Sequence, residues 1–141
     1  MTLLGWRSIR SCNNPALAIT TDDSNIGSQI STKHFAGANN QLWNLDSDGR
    51  LVNKATGLVI EASGGLTITM QQPTPLTGSK QWKYTNDIRS SQETAEVTIP
   101  KIVTEGTKCL QTANRFLPQG SHVISYDVKA VHPGNACWFF S

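Results

Sequence analysis

Asp22 and Asp23 are the one adjacent pair of acids in the chain, and a run of amides, Asn39-Asn40-Gln41, stands just before Trp43. Carboxylates and amides of this kind can accept and donate hydrogen bonds to a polar ligand. A catalytic assembly is missing. His34, His122 and His132 are dispersed, so no metal site is expected. Ser, His and Asp all occur, but without a nucleophile elbow. Glu61 and Glu96 show no spacing that would mark a glycosidase pair. There is no Gly-x-Gly-x-x-Gly, no phosphate loop and no dense acidic loop of oxygen ligands. The expectation is recognition without catalysis, with no cofactor and no metal.

The elements that must position these groups are set by a repeat. Gln41-Leu42-Trp43 ends one stretch, Lys80-Gln81-Trp82 a second and Ala136-Cys137-Trp138 a third. With 141 residues the chain suits one domain, and three units take about 47 residues each, room for four short strands and their turns. The Trp spacing is uneven, 82 − 43 = 39 against 138 − 82 = 56. The polar, aperiodic stretch from Asn86 to Glu96 reads as an insertion that accounts for this. Expected strands include Leu17–Thr21, Gln29–Phe35, Leu42–Leu45, Leu66–Gln71, Val97–Val103 and Cys137–Phe140. They are separated by turn signals such as Asp46-Ser47-Asp48-Gly49 and Gly64-Gly65. No sustained helical period appears. About twelve short strands in three pseudo-repeats predict an all-β trefoil, with units of about 5–48, 49–87 and 95–141. Trp43, Trp82 and Trp138 should share its core, because an indole has a large apolar surface to bury and one N–H to satisfy.

Composition narrows the partners. Lys and Arg total 12 against 10 Asp and Glu, a net charge of +2 that is too small for a nucleic-acid footprint. No apolar run approaches the length of a membrane span. The stretch Met1–Trp6 lacks the basic start and apolar core of a signal peptide. Three cysteines, Cys12, Cys109 and Cys137, are an odd count that fits free thiols in a reducing compartment, so a cytoplasmic location is expected. A single bridge, Cys109–Cys137 for example, stays open.

Gly57-Leu58-Val59-Ile60-Glu61-Ala62-Ser63-Gly64-Gly65 resembles the Gly-x-x-Leu-Asp-Val-x-Gly-Gly stretch of ricin B-type (R-type) lectins, and Asn40-Gln41-Leu42-Trp43 matches that family's Asn-Gln-x-Trp signature. The resemblance spans nearly the whole chain and is closest to fungal-type single-domain forms. It implies a non-catalytic agglutinin for glycans ending in galactose or N-acetylgalactosamine. In such a site an aromatic ring packs on the sugar's C–H face, a carboxylate accepts from two hydroxyls and an amide serves a third.

Counting back from each Trp places Ala18, Glu61 and Gln111 at the carboxylate position and Lys33, Met70 and Tyr126 at the stacking position. The first unit then ranks highest. Asp22 or Asp23 replaces the missing strand acid, Asn40 and Gln41 supply the amides, and Lys33 and His34 (or Phe35) lie alongside. The third unit ranks next, through Gln111, Asn114, Tyr126 and Asn135. The second ranks last. Crosslinking would come from two sites or from a homodimer; Trp138-Phe139-Phe140 is an apolar stretch that could serve a dimer, though burial within the barrel is the stronger expectation. The alternatives are a trefoil protease inhibitor, acting through Pro73–Leu76 or Asn114–Pro118, and a trefoil that binds proteins alone.

Overall fold

A computed structural model describes residues 5–113 and 121–141. The strands, each of three to six residues, are β1 (Ile9–Ser11), β2 (Leu17–Thr21), β3 (Ile30–His34), β4 (Trp43–Leu45), β5 (Leu51–Asn53), β6 (Val59–Gly64), β7 (Thr67–Gln71), β8 (Trp82–Thr85), β9 (Lys101–Thr104), β10 (Lys108–Thr112), β11 (Val123–Asp127) and β12 (Trp138–Phe140). Among the described residues, helix is confined to two 3-10 turns, Asn39–Gln41 and Gly78–Lys80, and one α turn, α1 (Pro133–Ala136). Strand alternation sorts the side chains. In β7, Ile68 and Met70 point into the core while Thr67, Thr69 and Gln71 face out. Turn chemistry ends the strands where the sequence signals it. Asp46 Oδ1 accepts the N–H groups of Asp48 and Arg50, and Gly49 follows at φ +85°. A Cβ at Gly49 would come within 3.2 Å of the Trp82 carbonyl, so only glycine fits there.

The strands form three antiparallel sheets, β12-β1-β2-β3, β4-β5-β6-β7 and β8-β9-β10-β11. Each sheet therefore opens with the last strand of one unit and continues with three strands of the next. The register is the same at each junction: Trp43 faces Asn53, Trp82 faces Thr104, and Trp138 faces Ser11 across the closing seam. A second ring of backbone bonds locks each β-hairpin onto its neighbour. Met70 N–H donates to Ser28 O (2.8 Å), Ser125 N–H to Leu66 O (3.1 Å) and Thr32 N–H to Ser121 O (2.9 Å). The core sits on the pseudo-threefold axis and holds Trp43, Trp82 and Trp138 with Ile9, Ile19, Ile30, Ile60, Ile68, Ile102 and Leu110. The expected trefoil is the observed architecture.

Two local expectations need correction. Cys12 and Cys137 are disulfide-bonded, with Cα atoms 5.3 Å apart, and Cys109 is the free thiol, so the odd count does not signal three free cysteines. The pair is brought together by the closing seam, where Cys12 N–H also donates to Cys137 O (3.1 Å), a contact between residues too distant in sequence to be read from spacing. Cys109 is fully buried and burial pushes its thiol up to about 12, which leaves it unreactive. The barrel takes up Trp138 and Phe140, as the stronger expectation had it, rather than leaving a dimer patch: Trp138 is buried, and Phe140 packs on the core and edge-on against Tyr84 at 5.0 Å.

The second correction concerns the insertion, which extends beyond Glu96; residues 97–100 are not strand. It is organised by charge. Lys101, wholly buried, bonds Glu93 at 2.8 Å and donates to the carbonyls of Ile88 (2.9 Å) and Ile99 (3.3 Å). Glu93 in turn accepts the N–H groups of Ser90 (2.7 Å) and Ile99 (2.6 Å). Burial alone would raise its pKa; the Lys101 ammonium and the two N–H groups outweigh that and hold it at about 2.

Two stability measurements follow from this packing. Trp43→Phe removes an indole N–H and some core volume, and should cost about 2–4 kcal/mol in urea unfolding; Trp6→Phe at the exposed Trp6 should change stability by less than about 0.5 kcal/mol. Glu93→Gln strands a buried ammonium and should cost about 3–5 kcal/mol at pH 7. Because the folded pKa of Glu93 is depressed, its stabilisation is full above about 4.5 and lost as pH falls toward 2. The gap between wild type and variant should narrow over that window, and a gap constant with pH would contradict the assignment.

Candidate functional site

The indole N–H groups give a structural ruler. Trp43 donates to Ile19 O (3.0 Å), Trp82 to Ile60 O (2.9 Å) and Trp138 to Leu110 O (3.0 Å). The residues that follow these acceptors, Thr20, Glu61 and Gln111, are therefore equivalent, and they face away from the core. Opposite them stand Ser31, Thr69 and Ile124, and two places further along lie Lys33, Gln71 and Tyr126. Counting back from the Trp misplaces Ala18 and Met70, because the acceptor lies 24, 22 and 28 residues before the Trp in the three units. Met70 is in the core, and Thr20, not Ala18, holds the first unit's strand position.

In the first unit, Thr20 is buried beneath Gln41. Asp22 is two residues on, on the same face of the chain. Its Oδ1 accepts from Ser31 Oγ (2.6 Å) and stands 3.6 Å from Lys33 Nζ. Both charged side chains are part exposed, so the ion pair is weak and easily exchanged for a ligand. Asn40 reaches the same place, donating from Nδ2 to Thr21 O at 3.3 Å. Asp22, Ser31, Lys33 and Asn40 thus form one outward-facing polar cluster. Asp23 is drawn away: its carboxylate caps the Asn25 N–H (2.7 Å) in the turn. His34 belongs to the opposite face of β3, in register with Leu17. Phe35 carries the Arg10 guanidinium over its ring at 3.9 Å, which occupies one face. Gln41 is spent on the fold: Oε1 accepts Ala36 N–H (2.8 Å), and Nε2 donates to His34 O (2.8 Å) and Thr20 Oγ1 (3.2 Å).

The second unit, ranked last from sequence, keeps an acid at the strand position. Glu61 Oε2 accepts from Ser79 Oγ (2.7 Å) and Thr77 Oγ1 (3.4 Å). Thr69 lies across from it and bonds Ser63 and Gln71. Lys80 occupies the place of Gln41 and likewise turns inward, to Pro75 O (2.9 Å). Thr69, Thr77 and Ser79 are not among the expected site residues; the cross-strand register places Thr69 opposite Glu61, and hydrogen bonds bring Thr77 and Ser79 to it from the turn before Trp82.

In the third unit Asn135 repeats the tie of Asn40, Nδ2 to Thr112 O at 3.5 Å. Gln111 is buried, and its Oε1 and the Asn135 Oδ1 have no hydrogen-bond partner. Tyr126 is half-buried against a small cluster of Val103, Cys109, Val128, Val131 and Ala136. Asn114 and the loop 114–118 lie outside the described residues. No carboxylate stands at this unit's strand position, and among the described residues no group of three potential metal ligands comes together.

Twelve strands among the described residues, three-fold closure and Trp-anchored units define the fold as a β-trefoil. Solved structures share it over the whole chain. An earthworm R-type lectin C-half in complex with GalNAc superposes with a TM-score of 0.74 at 19% identity, covering 98% of each chain. The Vibrio vulnificus hemolysin/cytolysin β-trefoil lectin with N-acetyl-D-lactosamine bound gives 0.73 at 16% identity, over 96% of this chain and 93% of that one. The designed three-fold symmetric protein ThreeFoil gives 0.76 at 17% identity, over 97% and 98%. No protein-family profile matches the sequence, and no curated protein matches it.

The two amides before Trp43 should separate experimentally. Gln41→Ala removes the partner of the part-buried Ala36 N–H and of His34 O, and one of the two bonds of buried Thr20 Oγ1, and should lower stability by about 1–3 kcal/mol. Asn40→Ala, at the edge of the outward cluster, should lower it by less than about 1 kcal/mol. Equal losses in thermal or urea unfolding would show that both amides are purely structural.

Proposed function

We propose that the chain is a non-catalytic lectin that binds glycans ending in galactose or N-acetylgalactosamine at the first unit. The observation that carries this reading is the half-exposed Asp22 carboxylate, held by Ser31 and set beside the Asn40 amide and Lys33. In this reading Asp22 accepts hydrogen bonds from two adjacent sugar hydroxyls, and charge makes these bonds stronger than neutral ones. Asn40 Oδ1 serves a third hydroxyl, and Lys33 swings from Asp22 to the ring's hydroxyl edge. The axial hydroxyl of galactose falls where carboxylate and amide converge, which supplies discrimination. The three-dimensional likeness to lectins seen with GalNAc and N-acetyl-D-lactosamine supports the ligand class.

A second binding surface is favoured by Glu61, whose acid stands at the strand position of the second unit with Oε1 free of the Ser79 bond. Shallow sites of this kind bind weakly one at a time, and two on one chain, or one on each chain of a homodimer, would crosslink glycans by avidity. The inhibitor reading has less behind it. The stretch Pro73–Leu76 is tied back through Pro75 O to Lys80, and its other loop lies outside the described residues.

Calorimetry with galactose and N-acetylgalactosamine tests the reading. Asp22→Asn exchanges charged for neutral hydrogen bonds and should weaken first-unit binding about ten-fold or more; Asp23→Asn should leave it unchanged. Glu61→Gln should lower the stoichiometry without touching the Asp22-dependent phase. Wild-type protein that binds neither sugar would sink the proposal, and unaltered binding by Asp22→Asn would move the site elsewhere.

A further inference from the structure

The inserted segment has no counterpart in the first two units, and it borders two adjoining surface grooves. One is lined in part by Asp87, Arg89 and Lys129, the other by Arg89, Ser90, Ser91, Glu93 and Lys129. We propose that this segment forms a separate binding site for a single oxyanion group, the sulfate or carboxylate of an acidic sugar.

Three observations carry the assignment. First, Arg89 and Lys129 are exposed, line both grooves and take part in no ion pair among the described residues. Their segments are fastened together by Ser91 N–H donating to Lys129 O at 2.8 Å, so the two cations are held on one rim. Second, Ser90 is buried, and its hydroxyl is left without a hydrogen bond of ordinary geometry. It leans toward Glu93 and helps keep that acid charged, but Lys101 and the N–H groups of Ser90 and Ile99 already occupy both carboxylate oxygens. Ser90 lines the second groove, so its hydroxyl can turn from Glu93 to an oxygen there while the acid keeps those other partners. Third, the buried Lys101–Glu93 pair fixes the floor, and because Glu93 is neutralised there it does not repel an incoming anion.

The nearby acids set the limits. Asp127 Oδ1 accepts the Lys129 N–H at 2.9 Å and is engaged in its own turn. Asp87 stands on the groove wall, where it repels a second negative group and can accept from a hydroxyl of the same sugar. One anionic group on an otherwise neutral saccharide fits this pattern; a polyanion does not. The site shares no residue with the Asp22 cluster, so either one can fail alone.

Amide NMR titrations of the full chain would use galactose 6-sulfate, galacturonate, inorganic sulfate and unmodified galactose. The two acidic sugars should shift the signals of residues 87–93 and 129, and galactose should not. Arg89→Ala/Lys129→Ala, two exposed positions, should weaken the acidic sugars about ten-fold or more while leaving any galactose response at residues 20–41 as in wild type. The proposal is overturned if residues 87–93 stay unmoved by both acidic sugars, or if the double variant binds them as wild type does. Inorganic sulfate matching the acidic sugars in affinity would overturn the saccharide part of it. A galactose response missing at residues 20–41, with these shifts present, would count against the lectin reading alone.

Discussion

Everything in this chain hangs on an indole N–H meeting the carbonyl of an outward-facing strand. The bond is made three times, at 3.0, 2.9 and 3.0 Å, by side chains that are themselves the bulk of the core. A buried carbonyl without a donor is costly, and a buried Trp needs somewhere to put its N–H. The same contact therefore solves two problems, and it also fixes where β2, β6 and β10 sit relative to the following β4, β8 and β12. The outward residue next to each acceptor is consequently held in an equivalent place around the axis. Ligand-facing chemistry can vary there, as Thr20, Glu61 or Gln111, without disturbing the packing beneath.

The architecture was legible because it is written in types that few other structures need. Three Trp at the ends of polar turns, short alternating strands such as Thr67–Gln71, and turn residues such as Asp46 and Gly49 carry direct physical meaning. The candidate site was only half legible. Asp22 and Asn40 do come together, since both are tied to the end of β2. The polar neighbours of Gln41 do not tell that its side chain is roofed over and bonded to His34 and Ala36. For His34, strand parity and not proximity to Lys33 decides which face it joins. The register of the units could not be counted from the Trp, since loops of unequal length lie between ruler and target.

The insertion shows a different route to order. A polar, aperiodic run would ordinarily remain a solvated loop. Here one acid, Glu93, is drawn inside to meet Lys101, and four backbone groups of residues 88–99 close around the pair. The arrangement gives shape to a segment with little apolar surface to bury. It does so at one corner of the third unit, away from the outward strands of the first.

The seam between β12 and β1 has a consequence for how the molecule may be cut. Ser8 and Ser141 exchange backbone hydrogen bonds at 3.0 and 2.9 Å, and the Cys12–Cys137 bond lies a few residues inside. The first and last strands thus meet as any two interior neighbours do, and the ring of strands has no privileged starting point. A rearranged gene that linked β12 directly to β1 and opened the strand ring at the Asp46–Gly49 turn would encode the same set of strand pairings in a new order. A single unit offers no such freedom: its closing Trp strand pairs with the next unit, so alone it would have to find two copies of itself before it had a core.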